Sequence, residues 1–216
     1  MLVRDMKPIV WRRLMDPQHE RFDEPMVLAA LQQAALLVQK AVLRAAPDAF
    51  RTIYKSNLTA TVYRYPIPVG LLRMKFVTLD YGGTGVYVKA ERAREEDIET
   101  GVFDEMGDYD PRFCVTGGEI SIWPTPTLTV TNGMRLFCSL CVTLTDDDDD
   151  PETQGLLQPL HLAIPLYAVK LLMPEDGEDQ KGIDAEIREI LSDIGSLYSG
   201  FGADSAPWQI NPEGIK

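Results

Sequence analysis

The spacing of apolar residues changes twice along this 216-residue chain, and that change restricts the fold more than any single motif. Near the start, apolar side chains recur every three to four residues, which is the period of a helix. From about residue 57 to residue 145 they alternate, as in a strand, and the helical period returns after residue 155. Helices on either side need each other to bury their stripes, so the strand-rich segment is predicted to be an insertion between them.

The first helical segment has clear ends. Asp23 is suited to cap its first turn, Pro25 fits inside that turn, and Pro47 stops the helix. Its apolar arc includes Leu31 and Val38 and is wider than one core requires. An arc of that width is typical of a helix that is central in a bundle or that also contacts a neighbouring subunit. Leu31 and Val38 are therefore candidate partner contacts.

The middle segment predicts a sheet. Alternation is clearest at Met134–Thr145, and the turn Asn132-Gly133 before it either closes a hairpin on residues 127–131 or ends a loop. The charged stretch Glu91–Thr100 is predicted to be a short exposed helix. Further strands are predicted at Thr59–Tyr65, Met74–Leu79 and Val86–Lys89, with a hairpin formed by Phe113–Val115 and Glu119–Trp123.

Two helices are predicted after the sheet. Leu160–Met173 is strongly apolar, and Pro165 inside it means that the helix is kinked or begins there. A 3.6-residue stripe predicts the second helix over Ile183–Tyr198. Asp184 and Glu186 are placed in its first turn, where the helix dipole favours acidic side chains.

Together these elements predict an α+β protein. One long N-terminal helix and two C-terminal helices form a bundle that carries an inserted antiparallel β-rich domain. The start is predicted to be irregular because Pro8 and Pro17 interrupt helical hydrogen bonding. The predicted boundaries are an irregular segment at 1–22, a helical domain at 23–56 and 155–199, an inserted domain at 57–154 and an extended tail at 200–216.

Composition excludes several classes of protein. The formal net charge is −12, and an acidic surface repels phosphate backbones, so sequence-specific binding to nucleic acid is not expected. Three cysteines, an odd number in a long chain, predict no disulfide framework and fit a reducing cytoplasm. The first ten residues lack the apolar run of a signal peptide, and polar side chains interrupt the apolar stretch Met26–Ala46. No membrane segment is therefore predicted.

Residues that typically carry chemistry are sparse. Cys138 and Cys141 match C-x-x-C, yet residues three apart on a strand point to opposite faces, which does not suit a shared zinc ion. The run Asp146–Asp150 lacks the spacing of a calcium loop and is predicted to stay solvated. The glycine-rich stretch Asp80–Gly85 lacks the lysine of a P-loop and is predicted to be a turn. With His161 read as a hydrogen-bonded helix residue, we expect no enzyme activity, no metal and no cofactor.

Two apolar features indicate contacts with other proteins. Trp123-Pro124-Thr125-Pro126 follows a strand and is either the end of an edge strand or a rigid corner that sets a contact loop. Trp208 and Ile210 in the tail either fold back onto their own domain or dock on a neighbour. The candidate partner-binding residues are Trp123, Pro124, Pro126, Leu31, Val38, Trp208 and Ile210.

Several short motifs follow the long helix in a recognisable order. They are Tyr65-Pro66-Ile67-Pro68, the charged stretch Glu91–Thr100, the hairpin strand Gly118–Trp123 that ends in Pro124-Thr125-Pro126, the strand entered by Asn132-Gly133, and Leu160–Ala168 with its x-His-x-Ala-Ile-x-x-Tyr-Ala character. Over roughly residues 24–198, this order resembles the head-to-tail adaptor (connector) proteins of tailed bacteriophages. The Asp146–Asp150 run and Pro165 depart from the family pattern.

The resemblance implies a structural virion protein that forms a ring, commonly dodecameric, beneath the portal and joins capsid to tail. The strand-rich part would face the next neck or tail protein, and the tail after Gly200 would reach the portal. DNA would pass through the lumen without specific binding, and the protein would be made in the host cytoplasm and located in the virion neck. The alternatives are another neck or tail-completion protein, or a virion protein that binds a receptor or carbohydrate.

Overall fold

A computed structural model describes residues 1–94, 107–173 and 178–198 and divides the chain into two compact units. The helical unit comprises Met1–Phe50 and Cys141–Lys216, and the strand unit comprises Arg51–Leu140. Each unit has its own apolar core. The protein is therefore α+β, as the sequence predicts.

The described part of the helical unit contains helices α1 (Val3–Arg13), α2 (Glu24–Ala45), α3 (Ala163–Leu172), α4 (Glu178–Ser192) and α5 (Ile194–Tyr198), with 3₁₀ helices at Pro151–Gln154 and Gln158–Leu160. The start of α2 confirms the predicted cap, because the Asp23 carboxylate accepts the Met26 N–H at 2.9 Å and Pro25 lies in the first turn. α2 packs mainly against α3.

The core-facing side of the wide apolar arc of α2 is buried inside the helical unit. Leu31 and Val38 have no exposed surface and belong to the core of this unit, so neither side chain is presented to a partner. The unit covers only part of the arc, because Met26 and Leu37 keep 46% and 38% of their surface exposed. By length and composition alone, α2 is also apolar enough to cross a membrane, a property that buried core helices share.

The N-terminal helix α1 corrects the prediction of an irregular segment at 1–22. Val3, Met6 and Val10 have no exposed surface and lie on one face of the helix, where they join the core. Burial of this face outweighs the loss of one backbone hydrogen bond at Pro8. Tertiary packing thus overrides the local tendency of Pro8 to interrupt a helix.

The acidic run Asp146–Asp150 holds α1 in place and is more than a solvated loop. Arg4 donates to the Asp148 carboxylate at 2.8 Å, and the buried Lys7 ammonium donates to Asp147 and, at 2.5 Å, to Glu24. Burial disfavours the charge of Lys7, but these hydrogen bonds outweigh it and raise the pKa of Lys7 above its ordinary value. The run therefore supplies acceptors for a cationic helix face.

The two C-terminal helices differ from the prediction at their starts. α3 begins at Ala163, so Pro165 stands in its first turn and does not kink it. α4 begins at Glu178, upstream of the predicted start at Ile183, so Asp184 is not in the first turn. Asp184 instead accepts a hydrogen bond from Lys170 at 2.6 Å and ties α4 to α3.

The strand unit is a seven-stranded sheet with the order β1-β7-β3-β4-β5-β6-β2. Its pairs are antiparallel except for β4 and β5, which are parallel, a departure from the predicted antiparallel domain. The β5–β6 pair confirms the predicted hairpin. The strands are β1 (Thr52–Leu58), β2 (Arg64–Pro66), β3 (Leu71–Leu79), β4 (Val88–Arg92), β5 (Arg112–Thr116), β6 (Glu119–Trp123) and β7 (Val130–Leu140).

Two predicted elements of the sheet are displaced. The strand predicted at Thr59–Tyr65 is mostly a loop that joins β1 to β2, because the true strand ends at Leu58, whose side chain enters the core. The first two residues of the helix predicted at Glu91–Thr100 belong instead to strand β4. Glu91 pairs there with Arg112 of the parallel strand β5 and forms an ion pair with it. Residues 95–100 of that prediction lie outside the described residues.

Asn132-Gly133 is not a turn, because it lies inside β7. Asn132 adopts a φ of 55°, and the pairing of β7 with β1 shifts register between Ser56 and Leu58 opposite this point. The pair therefore marks a β-bulge, a feature in which positive φ and a small residue are common. Gly133 is closely surrounded, since a Cβ added there would lie 2.9 Å from Leu58 Cγ.

Residues 142–144 keep the alternation of β7 but pair with glutamine side chains instead of a strand. The predicted strand Met134–Thr145 therefore ends early, at Leu140. We call Gln32, Gln39 and Gln154 the glutamine clamp. Gln39 Oε1 accepts the Val142 N–H at 2.9 Å. The Gln32 amide donates to the Val142 carbonyl at 3.1 Å and accepts the Leu144 N–H at 2.5 Å. The Gln154 amide accepts the Thr143 N–H and donates to the Thr143 carbonyl, both at 2.7 Å.

Candidate partner interface

An exposed apolar patch lies where two loops of the strand unit meet. Thr61 N–H donates to the Pro126 carbonyl at 2.8 Å and Ala60 N–H donates to Thr129 Oγ1 at 3.1 Å, so loop 59–63 is tied to loop 124–129. Ile122 N–H on β6 also donates to the Tyr63 carbonyl at 2.9 Å. The Tyr63 and Trp123 rings lie 6.2 Å apart. We call this surface the rim patch, and it comprises Val62, Tyr63, Trp123, Pro124 and Leu128.

Two buried tyrosines anchor the loops of the rim patch. Tyr65 donates its hydroxyl to the Val62 carbonyl at 2.8 Å, and Tyr81 donates to the Pro124 carbonyl at 2.8 Å. Burial raises the pKa of both hydroxyls, so they stay protonated and remain donors. Each loop is therefore held by a core side chain, which gives the apolar patch a fixed shape.

The Trp123–Pro126 segment is a corner and not the end of an edge strand. Its strand, β6, lies between β5 and β2, so β2 and not β6 is the edge strand on this side of the sheet. Trp123 and Pro124 are partly exposed in the rim patch, whereas Pro126 is buried. The structure thus brings two predicted contact residues together, while Leu31 and Val38 lie in the helical core and Trp208 and Ile210 lie outside the described residues.

Three residues of the rim patch, Val62, Tyr63 and Leu128, were not predicted from the sequence. Tyr63 and Val62 were assigned to a strand, in which one of the two would face the core, but both are exposed in the loop. Leu128 carried a weak signal, because it is a large apolar residue within the polar run Thr127–Thr129. More than half of its surface is exposed (57%), and it belongs to the rim patch because its loop is tied to loop 59–63, not because of its exposure alone.

The cysteines and His161 do not form a chemical site among the described residues. No group of three His, Cys, Asp or Glu side chains within residues 1–94, 107–173 and 178–198 is arranged to hold a metal ion. Cys138 is buried in the strand unit, where burial raises its pKa to about 11. His161 is buried in the helical unit with Nε2 2.6 Å from the Leu156 carbonyl, and burial lowers its pKa. Its hydrogen-bonded state is the one predicted.

The glycine-rich stretch after β3 is a turn, as predicted. The buried Asp80 carboxylate accepts the N–H groups of Thr84 (3.2 Å) and Gly85 (2.7 Å). A phosphate would need free backbone N–H groups in such a loop. Because Asp80 already occupies these two donors, the loop is closed on itself.

The strand unit thus presents an exposed apolar patch on two loops that buried tyrosines anchor. The family model of the SU10 adaptor protein matches residues 1–206, which includes both units, and the chain belongs to this family. The match confirms the resemblance to head-to-tail adaptors and extends it beyond residues 24–198 to include α1. It makes the protein a bacteriophage adaptor, a structural protein of the virion neck, and the family is not known for enzymes. No curated protein matches the sequence.

Proposed function

We propose that this protein forms a ring of identical subunits that joins the capsid portal to the tail and lets DNA pass through its lumen. The observation that carries the proposal is the family match over residues 1–206. Adaptor families interact with portal and tail proteins, and a two-unit chain offers a separate surface for each. The formal net charge of −12 supports passage of DNA, because an acidic wall does not retain phosphates.

The experiment that tests this proposal is electron microscopy of the protein mixed with the portal ring of the same particle. We expect a ring of added density on the narrow end of the portal. Bare portals at micromolar protein concentration would contradict the adaptor role and would direct the search to the tail side of the neck.

We assign the contacts with the tail side and with the portal to different parts of the chain. We assign the rim patch to the next neck or tail protein, because it is an anchored apolar surface with two aromatic rings, the composition of interface centres. Trp208 and Ile210 are assigned to the portal on the basis of the adaptor resemblance. DNA passage requires no specific contact with either part.

The double substitution Tyr63→Ser and Leu128→Ser is expected to weaken attachment to the tail protein by about 30-fold. Loss of central apolar anchors typically costs about 2 kcal/mol or more in binding. The free energy of unfolding should fall by no more than about 1.5 kcal/mol, mostly from loss of the Tyr63–Trp123 ring contact, because Leu128 is already largely exposed. Surface plasmon resonance and urea unfolding measure the two quantities separately.

The matched control is Val69→Ser with Tyr109→Ser, which removes the same kinds of side chain from the same unit. Val69 and Tyr109 are 98% and 92% exposed and lie outside the rim patch. Equal weakening by both doubles would mean that the rim patch has no special role in attachment.

A further inference from the structure

The face of the sheet that lies away from the strand unit's own core carries three cations in register, on β1, β7 and β4, with the buried Thr78 of β3 between the last two. In the sheet register, Lys55 on β1 is opposite Arg135 on β7, Arg135 is opposite Thr78 on β3, and Thr78 is opposite Lys89 on β4. Directly paired residues point to the same face. At about 4.8 Å per strand, Lys55 and Lys89 are about 14 Å apart. We call Lys55, Arg135 and Lys89 the basic row.

Aromatic rings next to the basic row hold two of its cations in place. The Arg135 guanidinium lies 3.6 Å from the centre of the Tyr87 ring, and the Lys89 ammonium lies 5.6 Å from that of Phe76. Phe76 stacks on Phe137 at 4.1 Å, outside the apolar core of the unit. The face therefore combines positioned cations with apolar surface, as interfaces do.

The basic row lowers the stability of an isolated subunit. Lys55 and Arg135 are directly opposite each other, and like charges in that position are destabilising. Lys55 and Lys89 are exposed, so their charges are available to a partner. An acidic surface that covered the basic row in an assembly would offset this cost.

The chain itself supplies such an acidic surface. Residues 51–140 contain ten Lys and Arg against eleven Asp and Glu, whereas the rest of the chain contains eleven against twenty-two. The excess negative charge of the protein thus belongs to the helical unit. Exposed acids of that unit include Glu152, Glu189 and Asp193.

We propose that the basic row of one copy binds the acidic surface of the helical unit of a second copy. The inference deepens the proposed ring and rests on it, because it assigns the contact between neighbouring subunits. Contacts between two different surfaces of one chain are heterologous, and they close into rings when the rotation between copies permits. DNA is the less favoured occupant, because the protein as a whole is acidic.

The test is sedimentation velocity of the full chain over a range of concentrations, at low and at high salt. We expect the wild-type protein to associate at about 0.05 M salt and to dissociate as salt screens the charges. Lys55→Glu with Lys89→Glu should raise the dissociation constant at least about tenfold, since like charges then face each other. Thermal unfolding should show little net change, because Lys55→Glu places an acid opposite Arg135 while Lys89→Glu gives up the exposed contact with the Phe76 ring.

The matched control is Arg12→Glu with Lys181→Glu, two exposed cations of the helical unit, which lowers the net charge by the same amount. This control should associate at least as strongly as the wild type. A wild-type protein that stays monomeric at low salt, or equal association of both double variants, overturns the inference.

Two further measurements distinguish a contact between subunits from a contact with DNA or with the portal. If the wild type binds a labelled DNA duplex in a salt-sensitive way that the Lys55→Glu/Lys89→Glu protein loses, without self-association, the row contacts phosphates and the inference is wrong. Seating on portal rings is measured separately. If the protein binds portal rings but does not self-associate, only the proposed contact between subunits is overturned. If it self-associates but does not bind portal rings, only the adaptor role is overturned.

Discussion

Replacing Gln39 with methionine is expected to lower the free energy of unfolding by about 1–3 kcal/mol, the cost of a buried donor left without its acceptor. Gln39 has no exposed surface, and its Oε1 accepts the Val142 N–H at 2.9 Å. Methionine matches the length of glutamine but offers no comparable acceptor. The Val142 N–H would then be buried without a strand to pair with. Urea unfolding followed by circular dichroism measures the change.

Gln33→Met is the matched control, because it makes the same chemical change on the same helix at an exposed position. It should shift the free energy of unfolding by no more than about 0.5 kcal/mol. Gln32→Met should fall between the two, since Gln32 makes two clamp bonds but is only half-buried. Equal effects of Gln33→Met and Gln39→Met would show that the glutamine clamp does not stabilise the fold.

Gly133→Ala is expected to destabilise the protein by about 1–3 kcal/mol, the usual cost of overpacking a core. The new Cβ would lie 2.9 Å from Leu58 Cγ and 3.0 Å from Val130 Cβ. Leu58 has no exposed surface, and its neighbours leave it little room to move. Thermal unfolding of the variant against the wild type measures the effect.

Two further variants identify the cause of that loss. Gly182→Ala lies in α4 with nothing within 4 Å of the added Cβ, so it should stabilise the protein by up to about 1 kcal/mol. Leu58→Ala removes the Cγ and Cδ1 atoms that the new Cβ would meet, so it should cost less in the Gly133→Ala background than in the wild type. Additive effects of Gly133→Ala and Leu58→Ala would contradict the proposed contact.

The sequence predicted the elements whose local signals agree with their packing. α2 has a cap, a proline in its first turn and a strong apolar period, and all three are present in the structure. The β5–β6 hairpin was predicted because its strands flank Thr116-Gly117-Gly118, and both glycines adopt a positive φ.

Elements whose backbone partners are distant in sequence were missed or misplaced. α1 forms in spite of Pro8 because Val3 and Met6 reach a core made by later helices. Residues 142–144 were predicted to be a strand because their apolar and polar side chains alternate, which indicates that one face is buried. The alternation does not tell whether the backbone hydrogen-bonds to a second strand or, as here, to glutamine amides. Asn132-Gly133 read as a turn because bulges and turns share the same residue types.

The candidate site was predicted only in part for the same reason. Trp123 and Pro124 stand out because a large aromatic side chain is followed closely by two prolines that stop the strand. Tyr63 and Leu128 join them only through the pairing of loop 59–63 with loop 124–129, which no local pattern reports. Leu31 and Val38 were predicted to contact a partner because the apolar arc of α2 is wide. The width of an arc does not tell whether the residues that pack on it belong to the same chain, and for these two they do.

The division of the helical unit between two ends of the chain has a consequence for its synthesis. α2 leaves the ribosome early, whereas α3, its main packing partner, begins only at Ala163. At about 5–20 residues per second, α2 waits on the order of 10 seconds for that partner. During this interval its apolar arc is exposed, while the continuous residues 51–140 already have all that their own core requires. The nascent chain is therefore expected to need a chaperone on its first helices and not on its sheet.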